Sequence, residues 1–417
     1  MSIPQPASTN MAYDVEAIRA DFPILSTEAH GKPLVFLDSA ASAQKPRAVI
    51  DSIRATFETG YANIHRGVYH LSQVATEKHE AARETVRAFI NAGHTDEVIF
   101  VRSATEAINL VANSWGGQNL REGDEIVVSE IEHHSNIVPW QLLRQRTGCV
   151  LKVAPVRDNG ALDLAATLKL LDSGRVKLLA ITHMANSIGT IMPIKQLTEA
   201  AHAAGAKVLV DGCQGAVHMP VDVQALDVDF YAFSAHKLYG PTGIGALYGK
   251  RALLDAMPPY QGGGDMISRV SFEDSTWAPL PNKFEAGTPA IAEVIAFGAA
   301  IDYVNSIGLD RIAAHEHDLQ TYALDRLRGV QGVQLIGTAP ERGAVISFVI
   351  DGVHPHDAGT IMDRMGVAIR AGQHCAEPTM ARFGVPGTLR ASFGLYNTME
   401  EVDTLAASID FARDFFT

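Results

Sequence analysis

Residues 207–214 read Lys207-Val208-Leu209-Val210-Asp211-Gly212-Cys213-Gln214, and Lys237 follows Asp211 by 26 residues in Phe233-Ser234-Ala235-His236-Lys237-Leu238-Tyr239-Gly240-Pro241-Thr242-Gly243. Val208–Val210 is an unbroken aliphatic run without polar alternation. That pattern suits a strand covered on both faces, as in parallel sheets flanked by helices. Directly upstream, Pro193 opens a helix and Gly205 closes it. Moving outward, Glu97–Val101, Glu125–Ser129, Lys177–Thr182, Asp229–Phe233 and Gly245–Tyr248 read as further strands, with a helix from about Thr105 through Asn113. Strands alternating with helices predict an α/β fold with a mostly parallel sheet.

The character changes beyond about residue 255. Met257–Asp265 and Ala278–Asn282 are proline- and glycine-rich loops, and a helical stretch, Ala290–Ser306, leads into a second region. There Val345–Ile350 and Leu389–Phe393 read as strands and Asp357–Met365 as a helix. The expected organisation is a loose tail over residues 1–13, an N-terminal segment over 14–31 packing with the small domain, a large domain over 32–300 and a smaller α+β domain over 301–417. The 417-residue length suits this, and 47% apolar with 19% charged residues is ordinary globular composition. A net charge of −13 argues against nucleic acid and anionic membrane surfaces as partners. No apolar run reaches the roughly 18 residues of a membrane helix. The N-terminus lacks the pattern of a secretory signal. Three scattered cysteines, Cys149, Cys213 and Cys375, suggest a reducing compartment, and the expected location is the cytoplasm.

Ligands of an open parallel sheet bind at the carboxyl ends of its strands. Arg102-Ser103-Ala104-Thr105-Glu106 lies between a strand and a helix, and reads either as an anion site at a helix N-terminus or as a simple cap with a nearby acid. Asp211 ends an apolar strand; a carboxylate there is either a turn residue or the partner of a cationic ring nitrogen. Lys237 follows a buried strand; it is either a solvated turn lysine or an amine whose pKa burial lowers, making it a nucleophile toward carbonyl groups. Anion site, acid and amine together are what a pyridoxal phosphate pocket requires. Gly240–Gly245 has the wrong order for a dinucleotide fingerprint, and Pro241 removes an N–H that a pyrophosphate would use. The sixteen histidines form no H-E-x-x-H or cysteine–histidine pattern, so no metal site is expected.

Cys375 lies in the loop Arg370-Ala371-Gly372-Gln373-His374-Cys375-Ala376-Glu377-Pro378, where Arg370 and His374 would favour the reactive thiolate. Cys149 and Cys213 read as small core residues. Arg390, inside the apolar strand Leu389–Phe393, needs an anionic partner, and a substrate carboxylate matches its fork.

These segments resemble the fold-type I pyridoxal phosphate enzymes of aminotransferase class V, and within it the SufS-type (group II) cysteine desulfurases. The likeness covers nearly the whole chain from about residue 14. It is carried by His65-Arg66-Gly67, Thr76-Glu77-Lys78, Ile108–Trp115, Glu132–Trp140, Val210–Gln214, Ser234–Gly243, Phe284–Pro289 and Tyr396-Asn397-Thr398. The resemblance implies a seven-stranded sheet and pyridoxal 5'-phosphate as cofactor. It implies that Lys237 forms the Schiff base and moves protons, that Asp211 pairs with the pyridinium nitrogen, that His134 stacks on the ring and that Gln214 bonds the phenolic oxygen. Ala104, Thr105, Ser234 and His236 would bind the phosphate, with Thr288 contributed by the second subunit of a homodimer. Asn186, Arg390, Arg370 and His65 would bind the substrate, L-cysteine, and Cys375 would take its sulfur, leaving alanine. It further implies sulfur supply for iron–sulfur cluster assembly through an acceptor protein of SufE or SufU type and a Suf scaffold, with selenocysteine lyase as a second activity. Two positions depart from the family pattern: Gln373 replaces a histidine before His374, and Ala104 replaces a threonine but keeps a backbone N–H for the phosphate. The competing readings are a kynureninase-like enzyme or aminotransferase, neither of which needs a loop thiol, and an interaction protein without turnover, against which Lys237, Asp211 and Cys375 speak together.

Overall fold

A computed structural model describes residues 13–416. The tail expected over residues 1–13 lies, but for Tyr13, outside the described residues. The central sheet has seven strands: β1 (Val98–Val101), β2 (Glu125–Ser129), β3 (Val150–Ala154), β4 (Val176–Thr182), β5 (Lys207–Asp211), β6 (Phe230–Ser234) and β7 (Gly245–Gly249), in the spatial order β1-β7-β6-β5-β4-β2-β3. Neighbours from β6 to β3 pair in parallel, while β7 runs antiparallel to both β6 and β1. Every residue of β1, β2, β5, β6 and β7 is buried, apart from a half-buried Lys207 at the start of β5. The continuous aliphatic runs are thus strands with helices on both faces, the α/β architecture read from the sequence. β3 escaped that reading because it is the sheet edge, with Val150–Lys152 half-buried and Val153 exposed. The helix after β1 starts at Ala104, one residue earlier than expected. It ends as regular α-helix at Val111, and Ala112–Gly116 continue as a wider, π-type turn.

Beyond the long helix Ile291–Ile307, which packs on the helices Arg47–Ala55 and His70–Phe89, the chain builds an antiparallel four-stranded sheet. Its strands are β8 (Val333–Ile336), β9 (Val345–Ile350), β10 (Arg370–Gly372) and β11 (Thr388–Ser392), ordered β8-β9-β11-β10. Helices Leu309–Arg328, Pro355–Asp363 and Met399–Phe416 cover it, and their apolar faces share a core separate from that of the large sheet. The start of the chain crosses between the two cores. Arg19 pairs with Glu401 at 3.0 Å, Val35–Phe36 pairs in parallel with Val367–Ala368, and Val35 and Leu37 sit in the smaller core. Residues 40–45 then reach the carboxyl edge of the large sheet, where the Ala43 N–H donates to the His236 carbonyl at 3.1 Å. Among the described residues no single helix is long and apolar enough to cross a membrane.

Candidate active site

The carboxyl ends of β1, β5 and β6 deliver Ser103, Asp211 and Ser234 to one cavity of about 310 Å³. Its wall also holds Ala40, Ala41, Ala104, Thr105, His133, Ser135, Asn186, Cys213, His236, Lys237, Arg370, His374, Cys375 and Arg390. The separated segments Asp211, Lys237, Cys375 and Arg390 are thereby brought together, although 26 to 179 residues of chain divide Asp211 from the other three. The Asp211 carboxylate is buried and accepts the Cys213 N–H at 3.0 Å. It has no ion-pair partner among the described residues, so the site holds a buried negative charge that a cationic ligand atom would neutralise. Lys237, half-buried, likewise has no hydrogen-bond or ion-pair partner among them. Thr105 stands in the first turn of the helix Ala104–Val111, whose free N–H groups face the same cavity as Ser234 and His236.

Several expected contacts are arranged differently. The Ala104 N–H is donated to Ser234 Oγ at 2.9 Å, so it orients Ser234 rather than standing free for a phosphate. Gln214 is buried behind the cavity and its amide donates to the Ala40 carbonyl at 2.9 Å. The expectation for His134 is corrected: His133, not His134, lines the cavity. A 3₁₀ turn begins at His134, and His133 caps it by accepting the Ser135 N–H on Nδ1 at 3.0 Å, which leaves the His133 ring over the pocket. His134 points to the loop that carries Cys375 and accepts the Glu377 N–H on Nε2 at 3.0 Å. Burial, reinforced by Lys237, pushes the His133 imidazole down to about 4, so it is a neutral ring at physiological pH. Beneath it Glu132 is fully buried and accepts hydrogen bonds from Ser129 Oγ, the Asn136 amide and the Thr182 N–H, tying the ends of β2 and β4 to the histidine turn.

The thiol loop is held in a strained form. His374 and Cys375 both have left-handed backbones, at φ 56° and 55°, a conformation that costs side chains other than glycine about 1 kcal/mol or more. Asn186 Nδ2 donates to the His374 carbonyl at 2.8 Å and the His134 N–H to the Cys375 carbonyl at 2.7 Å, which fixes the turn and leaves the Cys375 side chain exposed. His374 does not supply the positive charge expected of it: burial pushes its imidazole down to about 3, and Nε2 is engaged with Thr388 Oγ1 at 2.8 Å. Arg370 is the remaining cation of the loop on the cavity wall. Arg390 is buried; its Nη1 donates to the Asn186 carbonyl at 3.0 Å, its Nη2 pairs with Asp38 at 2.9 Å, and Nε has no partner. The anion that its position demanded is thus present inside the protein. Cys149 is a core residue, whereas Cys213 lines the cavity, its thiol pushed up to about 12 by burial and by Asp211.

Two expected residues lie elsewhere in the subunit. Thr288 lines a second cavity of about 340 Å³ with Arg102, Glu106, Tyr260 and Gln261. His65 hydrogen-bonds Glu80 at 3.0 Å, beside His79, which meets the same carboxylate oxygen. The sequence places Ser103 only within the segment Arg102–Glu106, reads Cys213 as a core residue and gives the wall segment Ala40–Ala41 no role. The signal for Cys213 and Ser103 is position, two residues after Asp211 and two residues after the end of β1; Ala40–Ala41 carry none.

The aminotransferase class-V family profile matches residues 35–405. The chain belongs to the aminotransferase class-V family. It is 54% identical over 400 residues to a cysteine desulfurase of Salmonella agona, covering 96% of this chain and 98% of that protein. It is 52% identical over 399 residues to a cysteine desulfurase of Synechococcus elongatus, where the match covers 96% of this chain but 64% of the relative. Among solved structures it is similar to the cysteine desulfurase CsdA of Escherichia coli in its S-sulfonic acid form, at 41% identity and a TM-score of 0.90, covering 98% and 100% of the two chains. The apo cysteine desulfurase of Thermococcus onnurineus NA1 aligns at 36% identity and a TM-score of 0.91, covering 99% of each chain. Both solved structures align over the large sheet and the smaller one alike, at 98% or more of this chain.

Proposed function

We propose that this protein is a pyridoxal-phosphate-dependent cysteine desulfurase that releases L-alanine from L-cysteine and keeps the sulfur as a persulfide on Cys375. The observation that carries the reading is the meeting of Lys237, Asp211, Arg390 and Cys375 on one cavity. The residues suit the cofactor. The unpaired buried Asp211 matches a protonated ring nitrogen, the neutral His133 offers a flat face to the ring, and Thr105, Ser234 and His236 surround a helix N-terminus able to take a phosphate. When bound, pyridoxal phosphate withdraws electrons from the substrate's α-carbon and so makes its α-proton acidic. Lys237 is the base that moves that proton, and Arg390 with Asn186 holds the substrate carboxylate, with Arg370 beside them. The Cys375 thiolate attacks the substrate sulfur: a sulfur–sulfur bond forms, the carbon–sulfur bond breaks, and the carbon takes a proton to become alanine. An aminotransferase or a kynureninase-like enzyme has no use for the thiol.

The relatives named cysteine desulfurase support this activity. The finer reading rests on the family pattern in the sequence: a SufS-type enzyme working as a homodimer and passing sulfur to a SufE- or SufU-type acceptor and a Suf scaffold for iron–sulfur clusters, with selenocysteine as a second substrate; a cytoplasmic location is inferred from the three scattered cysteines. Exposure of Cys375 suits delivery to another protein. The domain limits of 14–31, 32–300 and 301–417 belong to the same proposal, supported by the separate core of the second sheet.

A serine hydroxyl cannot form the persulfide, so Cys375→Ser should retain cofactor absorption and bind cysteine, yet release at least about a hundredfold less alanine. Wild type given cysteine should gain the mass of one sulfur on the peptide carrying Cys375. Undiminished alanine from the variant, or a persulfide on Cys149 or Cys213 instead, would overturn the assignment.

A further inference from the structure

Arg390 is approached from two sides. On one it forms part of the wall of the cavity that holds Lys237 and Cys375. On the other, Asp38 reaches it from a separate groove of about 460 Å³, lined by Phe36, His356, Thr360 and Asp363 among others. Asp38 Oδ1 accepts from Arg390 Nη2 at 2.9 Å, with the Arg390 side chain 1% and the Asp38 side chain 26% exposed. Backbone bonds hold Asp38 in place: its carbonyl accepts the Ala41 N–H at 3.1 Å and the Ser42 N–H at 3.4 Å, and residue 38 bridges to Ser392 on β11. A fixed carboxylate therefore already neutralises the guanidinium before any ligand arrives. A second carboxylate, brought in by an amino acid from the cavity side, must share one buried cation with Asp38.

We propose that Asp38 is the resting counter-charge of Arg390, a positioning residue that holds the guanidinium aimed at the cavity and weakens amino-acid binding enough to let the product leave. Buried guanidinium without a partner is costly, so Asp38 keeps the empty site stable. Repulsion between two carboxylates on one arginine, at partial burial, is large enough to change affinity about tenfold. Burial raises the Asp38 carboxyl above its ordinary value, and the opposing pull of Arg390, with Arg370 behind it, is what favours the charged form there. The same side chain lies where the chain leaves the small sheet and becomes the cavity wall at Ala40–Ala41, so that wall and the Arg390 anchor are fixed by one residue.

The proposal rests on the reading of Arg390 as the carboxylate anchor. Asp38→Asn keeps the hydrogen-bond acceptor and removes the charge, and Asp38→Ser serves if that variant does not fold. Cofactor-loaded wild type and variant are titrated with L-alanine and with L-alaninamide, which lacks the carboxylate, following the visible spectrum, and their melting temperatures are compared. The variant should bind L-alanine about tenfold more tightly, bind L-alaninamide as wild type does, and show a lower KM for cysteine with kcat lowered by slower release. Equal tightening toward both ligands would mark a general change of the pocket and overturn the proposal. Unchanged or weaker alanine binding in the variant, while wild type still prefers alanine to its amide, would overturn it and leave the Arg390 reading standing. A wild type that binds both ligands equally would overturn both.

Discussion

His374 stands beside the proposed nucleophile and carries no charge at neutral pH, because burial holds its imidazole near 3 against an ordinary value of 6.5. Above pH 6.5 neither the folded nor the unfolded chain protonates this ring. As the pH falls below 6.5 the unfolded chain takes up a proton that the folded one refuses, so stability is lost with falling pH. By pH 4 that single group costs about 3 kcal/mol. His133, His183 and His236, each held near 4 chiefly by burial, add to the same loss. His374→Gln should remove one part of it: chemical denaturation at pH 7 and pH 4 should show the variant losing about 3 kcal/mol less than wild type across that window. An equal loss in both would place the His374 proton elsewhere. At this scale the sequence was legible where chemistry restricts the residue type. An aspartate at an apolar strand end and an arginine inside an apolar strand each call for a charged partner, a lysine directly after a buried strand is unusually placed, and a loop cysteine is out of the ordinary. It was not legible where two like residues adjoin. His133 and His134 differ only in which one caps a turn, and the turn's phase is set by Glu132 underneath, through hydrogen bonds to residues on two strands.

The elements that aim these residues are strand ends, and their precision comes from close packing at the turn after β5. A Cβ placed on Gly212 would stand 2.0 Å from the Tyr231 ring, and that ring is buried and held by a 2.9 Å hydrogen bond to His183. Neither the ring nor the turn has room to shift without moving Asp211 on one side and Cys213 on the other. Gly212→Ala should therefore cost about 1–3 kcal/mol of stability through overpacking and loosen the cofactor more than that figure suggests, because the displaced group is its proposed charge partner. Thermal melting and a pyridoxal phosphate titration would check this; a variant with wild-type affinity and melting temperature would show that the turn has slack. Glycine at 212 was visible in the sequence, but its reason was not, since Tyr231 lies on the neighbouring strand. The same limit explains β3. An edge strand with half-exposed residues lacks the doubly buried run by which β4, β5 and β6 announced themselves.

For the whole molecule, the two-core architecture was legible from the change of composition near residue 255, whereas the path of residues 35–45, which joins the small sheet to the cavity wall, was not, because contacts across some 350 residues leave no local pattern. The remaining question of assembly turns on Thr288. It lines a different cavity from Lys237 within one subunit, together with Arg102 and Glu106 from the segment that opens the helix Ala104–Val111. A two-fold dimer would carry that segment to the neighbour's site, and closed two-fold symmetry is the commonest oligomer. Light scattering of active protein should then give twice the 44.8 kDa chain mass. Mixed subunits offer a sharper check. Lys237→Ala protein should be inactive, and Thr288→Val protein should bind cofactor more weakly. When the two are refolded or co-expressed together, a hybrid dimer contains one site with an intact Lys237 from one chain and an intact Thr288 from the other. Its cofactor affinity at that site should return to the wild-type value, with about half the wild-type alanine release per dimer. If hybrids bind cofactor no better than Thr288→Val alone, Thr288 does not reach its neighbour, and each subunit completes its own phosphate site.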